Sequence, residues 1–292
     1  MSVSLLFVVG RPIKHSLSPA MHNGVISRLG LPLVYIPVEL PKGRLRGFLR
    51  IVREANFLGG NVTIPFKEEA AALSDERSEV VEACGAANTL VVRDGKLFAE
   101  NTDGEGFLDA LVMQGWGRRH SNVVLLGAGG AARGIAFALG KAGARRIILL
   151  NRSLKRADEV ARILSPCLPS TRFATGGIDP GSLEEAFRDA DLIVQCTPLG
   201  TTEEWSDFPY KAVKKSTRYA DLVYGAKKTS LVRMLCARGV PSMDGLPMLA
   251  CQAARSFALW TGKNPTGEMF LSFANKSSKN MIGFIGFPTN WR

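Results

Sequence analysis

Histidine and cysteine are scarce in these 292 residues, and neither is arranged for metal binding or cross-linking. His15, His22 and His120 form no H-E-x-x-H or comparable cluster, so a zinc centre would have almost no ligands and no metal is expected. The five cysteines, Cys84, Cys167, Cys196, Cys236 and Cys251, are odd in number and include no C-x-x-C pair. In a chain too long to need disulfide staples, that points to reduced thiols. No apolar run approaches the ~18 residues of a bilayer span. The apolar start Leu5 to Val9 has no basic segment before it and no small-residue cleavage site behind it, so it reads as a first strand. An intracellular, cytoplasmic protein without membrane attachment is expected. Internal repeats and low-complexity stretches are missing too.

What is present is ordinary for a globular protein: 46% hydrophobic and 22% charged residues, with 30 glycines and 15 prolines, which excludes disordered, collagen-like and coiled-coil chains. The length exceeds the ~100 to 200 residues usual for one domain, so two units are expected. Thirty-seven Lys and Arg against 26 Asp and Glu leave a formal charge of +11. Such an excess suits nucleic acid, an anionic lipid surface or a small anionic ligand. Nucleic acid is set aside because the basic residues are spread along the chain, with no basic tail, zinc finger or aromatic RNA-binding signature.

Short runs rich in Val, Ile and Leu alternate with helical-period segments: strand near 3–10, helix 19–30, strand 33–39, helix 43–55, strand 57–63. This is the rhythm of an α/β fold. Ser18-Pro19 predicts a helix N-cap followed by proline in the first turn, and Gly30 a stop. Arg93-Asp94-Gly95 between two apolar runs predicts a hairpin. A second series starts with a helix near 104–115, then strand 122–127, helix 130–143 and strand 146–151, which puts a domain boundary around 101–121. Helices near 245–262 and 266–280 have few strands of their own and must pack on something already built.

Gly127-Ala128-Gly129-Gly130-Ala131-Ala132 gives G-x-G-x-x-A directly after an apolar strand and directly before a helix. Glycines allow a tight turn and close approach to a pyrophosphate, whose charge then faces the positive end of the helix. At the end of the next strand an NAD site would carry an acidic residue for the ribose. Here stand Asn151-Arg152-Ser153, and Arg156 follows four residues after Arg152 on the predicted helix, so both guanidiniums can face a 2′-phosphate. NADP is expected over NAD.

Four further polar groupings fall at strand ends or helix starts, where an α/β sheet opens its ligand crevice. Ser16 and Ser18 flank a helix N-terminus, which suits a carboxylate. Asn61, Thr63 and Lys67 place an amide, a hydroxyl and an ammonium within seven positions after a strand. Asn88 precedes the hairpin and Asp103 follows it, so the hairpin returns both toward one end.

Taken together these segments resemble the shikimate dehydrogenase family from about Gly10 to Gly262. The motifs stand in this chain as Gly10 to Pro19, Asn61 to Lys67, Ala86 to Thr89, Asn101 to Gly104, Gly127 to Arg133, Asn151 to Ser153, Thr197 to Gly200 and Asp244 to Ala253. The resemblance implies a split α/β substrate domain, residues 1–104 with 240–292, and a Rossmann-type doubly wound NADP-binding domain, residues 105–239. It implies NADPH-dependent reduction of 3-dehydroshikimate to shikimate, a step of aromatic amino acid biosynthesis. By the same resemblance Lys67 and Asp103 form a catalytic dyad at the reacting oxygen, with the formal base left open. Ser16 and Ser18 then bind the substrate carboxylate; Asn61, Thr63, Asn88, Asp103 and Gln252 line the ring hydroxyls, and Tyr224 closes the pocket. Gly127, Ala128, Gly129, Gly130, Ala131, Asn151, Arg152, Ser153, Arg156, Thr197, Leu222 and Gly245 take the cofactor, Gly245 through backbone approach to the nicotinamide.

Departures from the family are Thr201 where Met is usual, Pro247 where Gly is usual, and Gly225-Ala226-Lys227-Lys228 after Tyr224. The tail from Asn275 to Arg292 matches no family motif. Alternatives are a paralogue acting on quinate or an amino-shikimate, or a ligand sensor of the same fold, which retention of both Lys67 and Asp103 disfavours. The partner expected is a small-molecule substrate, and the assembly is open, with a homodimer as one candidate.

Overall fold

The computed structural model describes residues 3–197, 205, 207–225 and 228–281. Pro198, Leu199, Gly200 and Thr201 of the motif that begins at Thr197, Ala226 and Lys227 after Tyr224, and the tail beyond Met281 lie outside the described residues.

The first sheet grows from β1 (Ser4–Gly10), α1 (Ser18–Arg28), β2 (Leu33–Glu39), α2 (Leu45–Glu54), β3 (Phe57–Val62), α3 (Lys67–Leu73), β4 (Glu76–Arg77), α4 (Glu79–Cys84), β5 (Thr89–Arg93) and β6 (Lys96–Glu100). The strand order is β2-β1-β3-β5-β6-β4, with β1 parallel to β2 and β3, and β5 antiparallel to β3 and β6. The unbroken apolar run of β1 reflects burial on both faces. Leu6 and Val8 point into one core and Phe7 and Val9 into another, the latter shared with Leu45 and Leu49 of α2 and Ala70 of α3. Fully buried side chains of this size each contribute about 1.5–3 kcal/mol. The predicted hairpin is present: Asp94 and Gly95 both adopt left-handed φ, 50° and 72°, between β5 and β6.

The second sheet follows α5 (Asp103–Met113) and is built from β7 (Asn122–Leu126), α6 (Gly130–Lys141), β8 (Arg146–Leu150), α7 (Leu154–Leu164), β9 (Arg172–Gly176), α8 (Pro180–Phe187), β10 (Leu192–Gln195), β11 (Arg218–Asp221), α9 (Ser230–Ala237) and β12 (Ser242–Met243). All pairs are parallel and the order is β12-β11-β10-β7-β8-β9, the doubly wound order whose direction reverses between β7 and β10. The glycine-rich turn after β7 therefore opens at the switch point.

The last helices, α10 (Leu246–Thr261) and α11 (Gly267–Met281), return to the first sheet. Ala253, Phe257, Trp260 and Phe270 complete the core around Leu6, Val8, Met21 and Val25, and the Trp260 indole donates to Leu90 O at 2.9 Å.

Two expectations are corrected. The sequence places residues from 240 onward in the first unit, yet β12 pairs with β11 in the second sheet, which thus runs to Met243. A two-residue strand is too short to leave a periodicity. The first helix starts at Ser18 itself, with Leu17 at the capping position and no side-chain cap; the Ser18 amide instead donates to Ser16 Oγ at 3.3 Å.

Helix α5 is wedged between the two units, and two glycines allow it. A Cβ on Gly104 would collide with Gly134 O of α6, and one on Gly106 would sit 2.6 Å from the Gln252 backbone of α10. This close approach brings the start of α5 to both neighbours at once.

His22 is fully buried against Tyr35, Phe257, Trp260 and Phe270, stacked on Tyr35 at 4.2 Å. Burial pushes its pKa from 6.5 down to about 3, so the native ring is neutral. Its stabilising contribution is complete above the unfolded value and is lost as pH falls from about 6.5 toward about 3, because only the unfolded chain takes up the proton. Urea unfolding across that window is expected to show a pH slope for His22→Phe flatter than for the parent by about 1.4 kcal/mol per pH unit. Equal slopes would contradict the neutral assignment.

Candidate active site

Lys67 is the first residue of α3 and Asp103 the first of α5. Their side chains meet: Lys67 Nζ lies 2.5 Å from Asp103 Oδ2, with only 15% and 7% of the two side chains exposed. A carboxylate in the first turn of a helix is favoured by the helix dipole, whereas an ammonium there is disfavoured; Glu68 and Glu69 beside Lys67 offset part of that cost.

Asp103 Oδ1 accepts from Asn88 Nδ2 at 2.8 Å, and the Asp103 amide donates to Asn101 Oδ1 at 3.0 Å. Asn88 Nδ2 also reaches Gln252 Oε1 at 3.4 Å, and Gln252 Nε2 donates to Leu249 O at 2.8 Å. Gln252 is therefore buried beside Asn88 rather than facing solvent. Ser18 is buried, while Ser16 and Thr63 are half-buried. Tyr224 packs against the core shared by α1, α10 and α11, and burial raises its phenol. Asp221 holds the approach to Tyr224, accepting from the Val223 amide at 2.9 Å and from Thr229 Oγ1 at 2.7 Å, and burial raises its carboxyl to about 6.

Asn61, expected at the ring hydroxyls, has protein partners at both ends of its amide. Its Oδ1 accepts from Tyr35 at 2.7 Å, and its Nδ2 faces Asn88 O, Thr89 Oγ1 and Ser256 Oγ at 3.0–3.1 Å. The amide is fully occupied behind Asn88. At Gly245 a Cβ would collide with Leu222 O, so the neighbouring loop itself requires glycine there.

The glycine-rich turn fits a dinucleotide. Gly127 has φ 115°, and a Cβ on it would lie 3.0 Å from Thr197 Cγ2; the corresponding direction at Gly129 is open space. Gly129 caps α6 with no side-chain acceptor, which leaves the first backbone N–H groups for an anion. A Cβ on Gly130 would be 3.4 Å from Lys67 Cδ and 3.3 Å from Ala86 Cβ, so the turn adjoins the ion pair. Ala128 is buried behind the turn and Ala131 is half-buried at the start of α6.

After β8, Asn151 Nδ2 donates to Ser153 O at 2.9 Å. Helix α7 begins only at Leu154, so Arg152 precedes it and the expected four-residue helical spacing to Arg156 does not apply. Arg152, Lys155 and Arg156 are all exposed at a helix N-terminus with no acid in its first turn, an arrangement the dipole disfavours unless an anion joins it.

Residues that the sequence reading passed over include Tyr35 and Ser256 behind Asn61, and Arg133, 9% exposed and 3.6 Å from Glu68. Gln195 is a further one, accepting from the Thr197 amide at 3.0 Å. Arg133 stood within a motif and carried a signal; the others sit in apolar runs with none. Among the described residues, no group of three or more His, Cys, Asp or Glu is placed to hold a metal ion, and no helix is long and apolar enough to cross a membrane.

Comparison with known proteins bears on this arrangement. Residues 8–90 match the shikimate dehydrogenase substrate binding domain, residues 112–201 the shikimate / quinate 5-dehydrogenase domain, and residues 245–269 the shikimate 5′-dehydrogenase C-terminal domain. The shikimate dehydrogenase (NADP(+)) of Methanopyrus kandleri is 38% identical over 266 residues, which cover 90% of this chain and 91% of that one. This chain belongs to the shikimate dehydrogenase family. The shikimate 5-dehydrogenase of Thermus thermophilus, solved in complex with NADP(H) and shikimate, superposes with a TM-score of 0.84 at 36% identity, covering 94% of this chain and 100% of that one. Quinate dehydrogenase from Corynebacterium glutamicum, in complex with NAD, gives a TM-score of 0.85 at 28% identity, with 94% and 100% covered. Membership in the shikimate dehydrogenase family agrees with the α/β fold class, two sheets with a doubly wound second unit.

Proposed function

We propose that this chain is a cytoplasmic oxidoreductase that reduces 3-dehydroshikimate to shikimate reversibly with NADPH, a step of aromatic amino acid biosynthesis. The observation that carries the reading is the buried Lys67–Asp103 pair beside Gly130 of the glycine-rich turn. When bound, NADPH supplies the hydride. The uncapped N-terminus of α6 holds its pyrophosphate, and Arg152 and Arg156, with Asn151 in place of an acid, favour a 2′-phosphate over a bare ribose.

The chain's own part is to hold and move a proton. An ammonium has three N–H donors, and one of Lys67 faces Asp103, which leaves two for the reacting oxygen. Asp103 accepts from Lys67 at one oxygen and from Asn88 at the other, so it acts as an acceptor that keeps Lys67 aimed. This supports Lys67 Nζ as the group that donates to the ketone oxygen in reduction and accepts in reverse. Ser16 and Ser18 take the carboxylate; Thr63, Asn88, Asp103 and Gln252 take ring hydroxyls, and Tyr224 closes over them. The substrate unit comprises residues 1–104 and α10–α11, and the cofactor unit residues 105–243.

Quinate is the second reading, favoured by the likeness to the Corynebacterium enzyme. An assay of shikimate and quinate, each with NADP and NAD, separates the two, and faster turnover of quinate with NAD would overturn the first. Lys67→Ala is expected to lower kcat by about 10² to 10⁴ with KM nearly unchanged; a change confined to KM would remove Lys67 from the chemistry. Arg152→Ala is expected to raise KM for NADP by about tenfold or more while leaving NAD use equal or better, as measured in the same assay. Equal losses with both cofactors would contradict the phosphate assignment.

A further inference from the structure

Behind the ion pair lies a polar cluster that no step above uses. Tyr35 of β2 is fully buried; its backbone is held by Asn23, whose Nδ2 donates to Tyr35 O at 2.8 Å and whose Oδ1 accepts from Tyr35 N at 2.9 Å. Its ring is stacked on neutral His22. Its hydroxyl donates to Asn61 Oδ1 at 2.7 Å, which turns Asn61 Nδ2 toward Ser256 Oγ at 3.0 Å and Thr89 Oγ1 at 3.1 Å. Thr89 Oγ1 in turn donates to Asn88 Oδ1 at 2.9 Å.

The orientation of the two amides in this chain is fixed by backbone groups. The Thr102 backbone N–H can only donate, and it lies 2.8 Å from Asn88 Oδ1, so the Asn88 amide group must face the other way, toward Asp103 Oδ1 at 2.8 Å. Asn88 O can only accept, and it lies 3.1 Å from Asn61 Nδ2, so the series Tyr35–Asn61–Thr89–Asn88 points its protons toward the carboxylate, where Lys67 arrives from the opposite side; Ser256 Oγ accepts from Asn61 and donates to Gln252 O at 3.1 Å. Hydrogen bonds aligned in series polarise one another, and in a dry interior each unmade one is costly.

We propose that Tyr35, Asn61 and Ser256 are positioning residues: Tyr35 and Asn61 head a donor chain through Thr89 that locks the Asn88 amide and through it holds Asp103 in register with Lys67, and Ser256 braces that chain by accepting from Asn61. The proposal rests on the reductase reading for its kinetic readout only. Tyr35→Phe and Ser256→Ala each delete one hydroxyl with little change of volume. Each is expected to lower kcat about 3- to 10-fold with shikimate KM within about twofold. On an Asp103→Asn background neither should lower kcat further, because the group they align is already gone. Exchange of the Asn88 side-chain amide protons with water, followed by NMR in the intact protein, should be faster in both variants.

Unchanged kcat in both variants, a lowered melting temperature as the sole effect, or losses that multiply fully with Asp103→Asn would each overturn the proposal. Should the parent fail to turn over shikimate, the functional reading falls, and the Asn88 exchange rates decide the donor chain alone: faster exchange in the variants supports it and identical rates overturn it.

Discussion

The contact between one ammonium and one carboxylate, Lys67 and Asp103, is the constraint on which the rest of the arrangement depends. Two charges this far from water lose hydration, and the loss is offset only if each finds further hydrogen bonds in good geometry. The Asp103 carboxylate has one from Asn88 at its second oxygen. Lys67 has protons to spare, which is the property a proton carrier needs. The cost of desolvation is thus matched to the proposed site, which needs a charged donor close to the substrate.

That contact follows from three helix starts meeting at one point. Lys67 opens α3, Asp103 opens α5, and Gly130 opens α6 within reach of the Lys67 stem. Their positive dipole ends add to a field that favours anions, which suits both the Asp103 carboxylate and a pyrophosphate. Gly104 and Gly106 are the structural means, since a side chain at either would push α5 away from α6 or α10 and separate the pair. Core packing and the proposed proton chemistry share the same few residues.

Much of this was legible in the sequence, and the reasons differ by element. The strands of long apolar runs, β1, β7 and β8, and the Asp94-Gly95 hairpin declare themselves through period and turn chemistry. The pairing of Lys67 with Asp103 is legible only through motif order, since no local pattern links positions 36 apart. The partners of Asn61 are not legible, because sequence shows an amide near a strand end but not which way the strand faces. Tyr35 and Ser256 stay invisible for a related reason: a hydroxyl on an apolar strand or helix reads as core until its partner is known. The start of α7 shows how small an error matters, since beginning the helix at Leu154 leaves Arg152 off it.

The most direct test of the central claim is a crystal structure of the protein with NADP⁺ and shikimate together. The account predicts the reacting oxygen within about 3.2 Å of Lys67 Nζ, with the Lys67–Asp103 contact retained and the pyrophosphate over Gly129. A reacting oxygen more than about 5 Å from Lys67 Nζ, or Lys67 turned away from Asp103 in that complex, would contradict it.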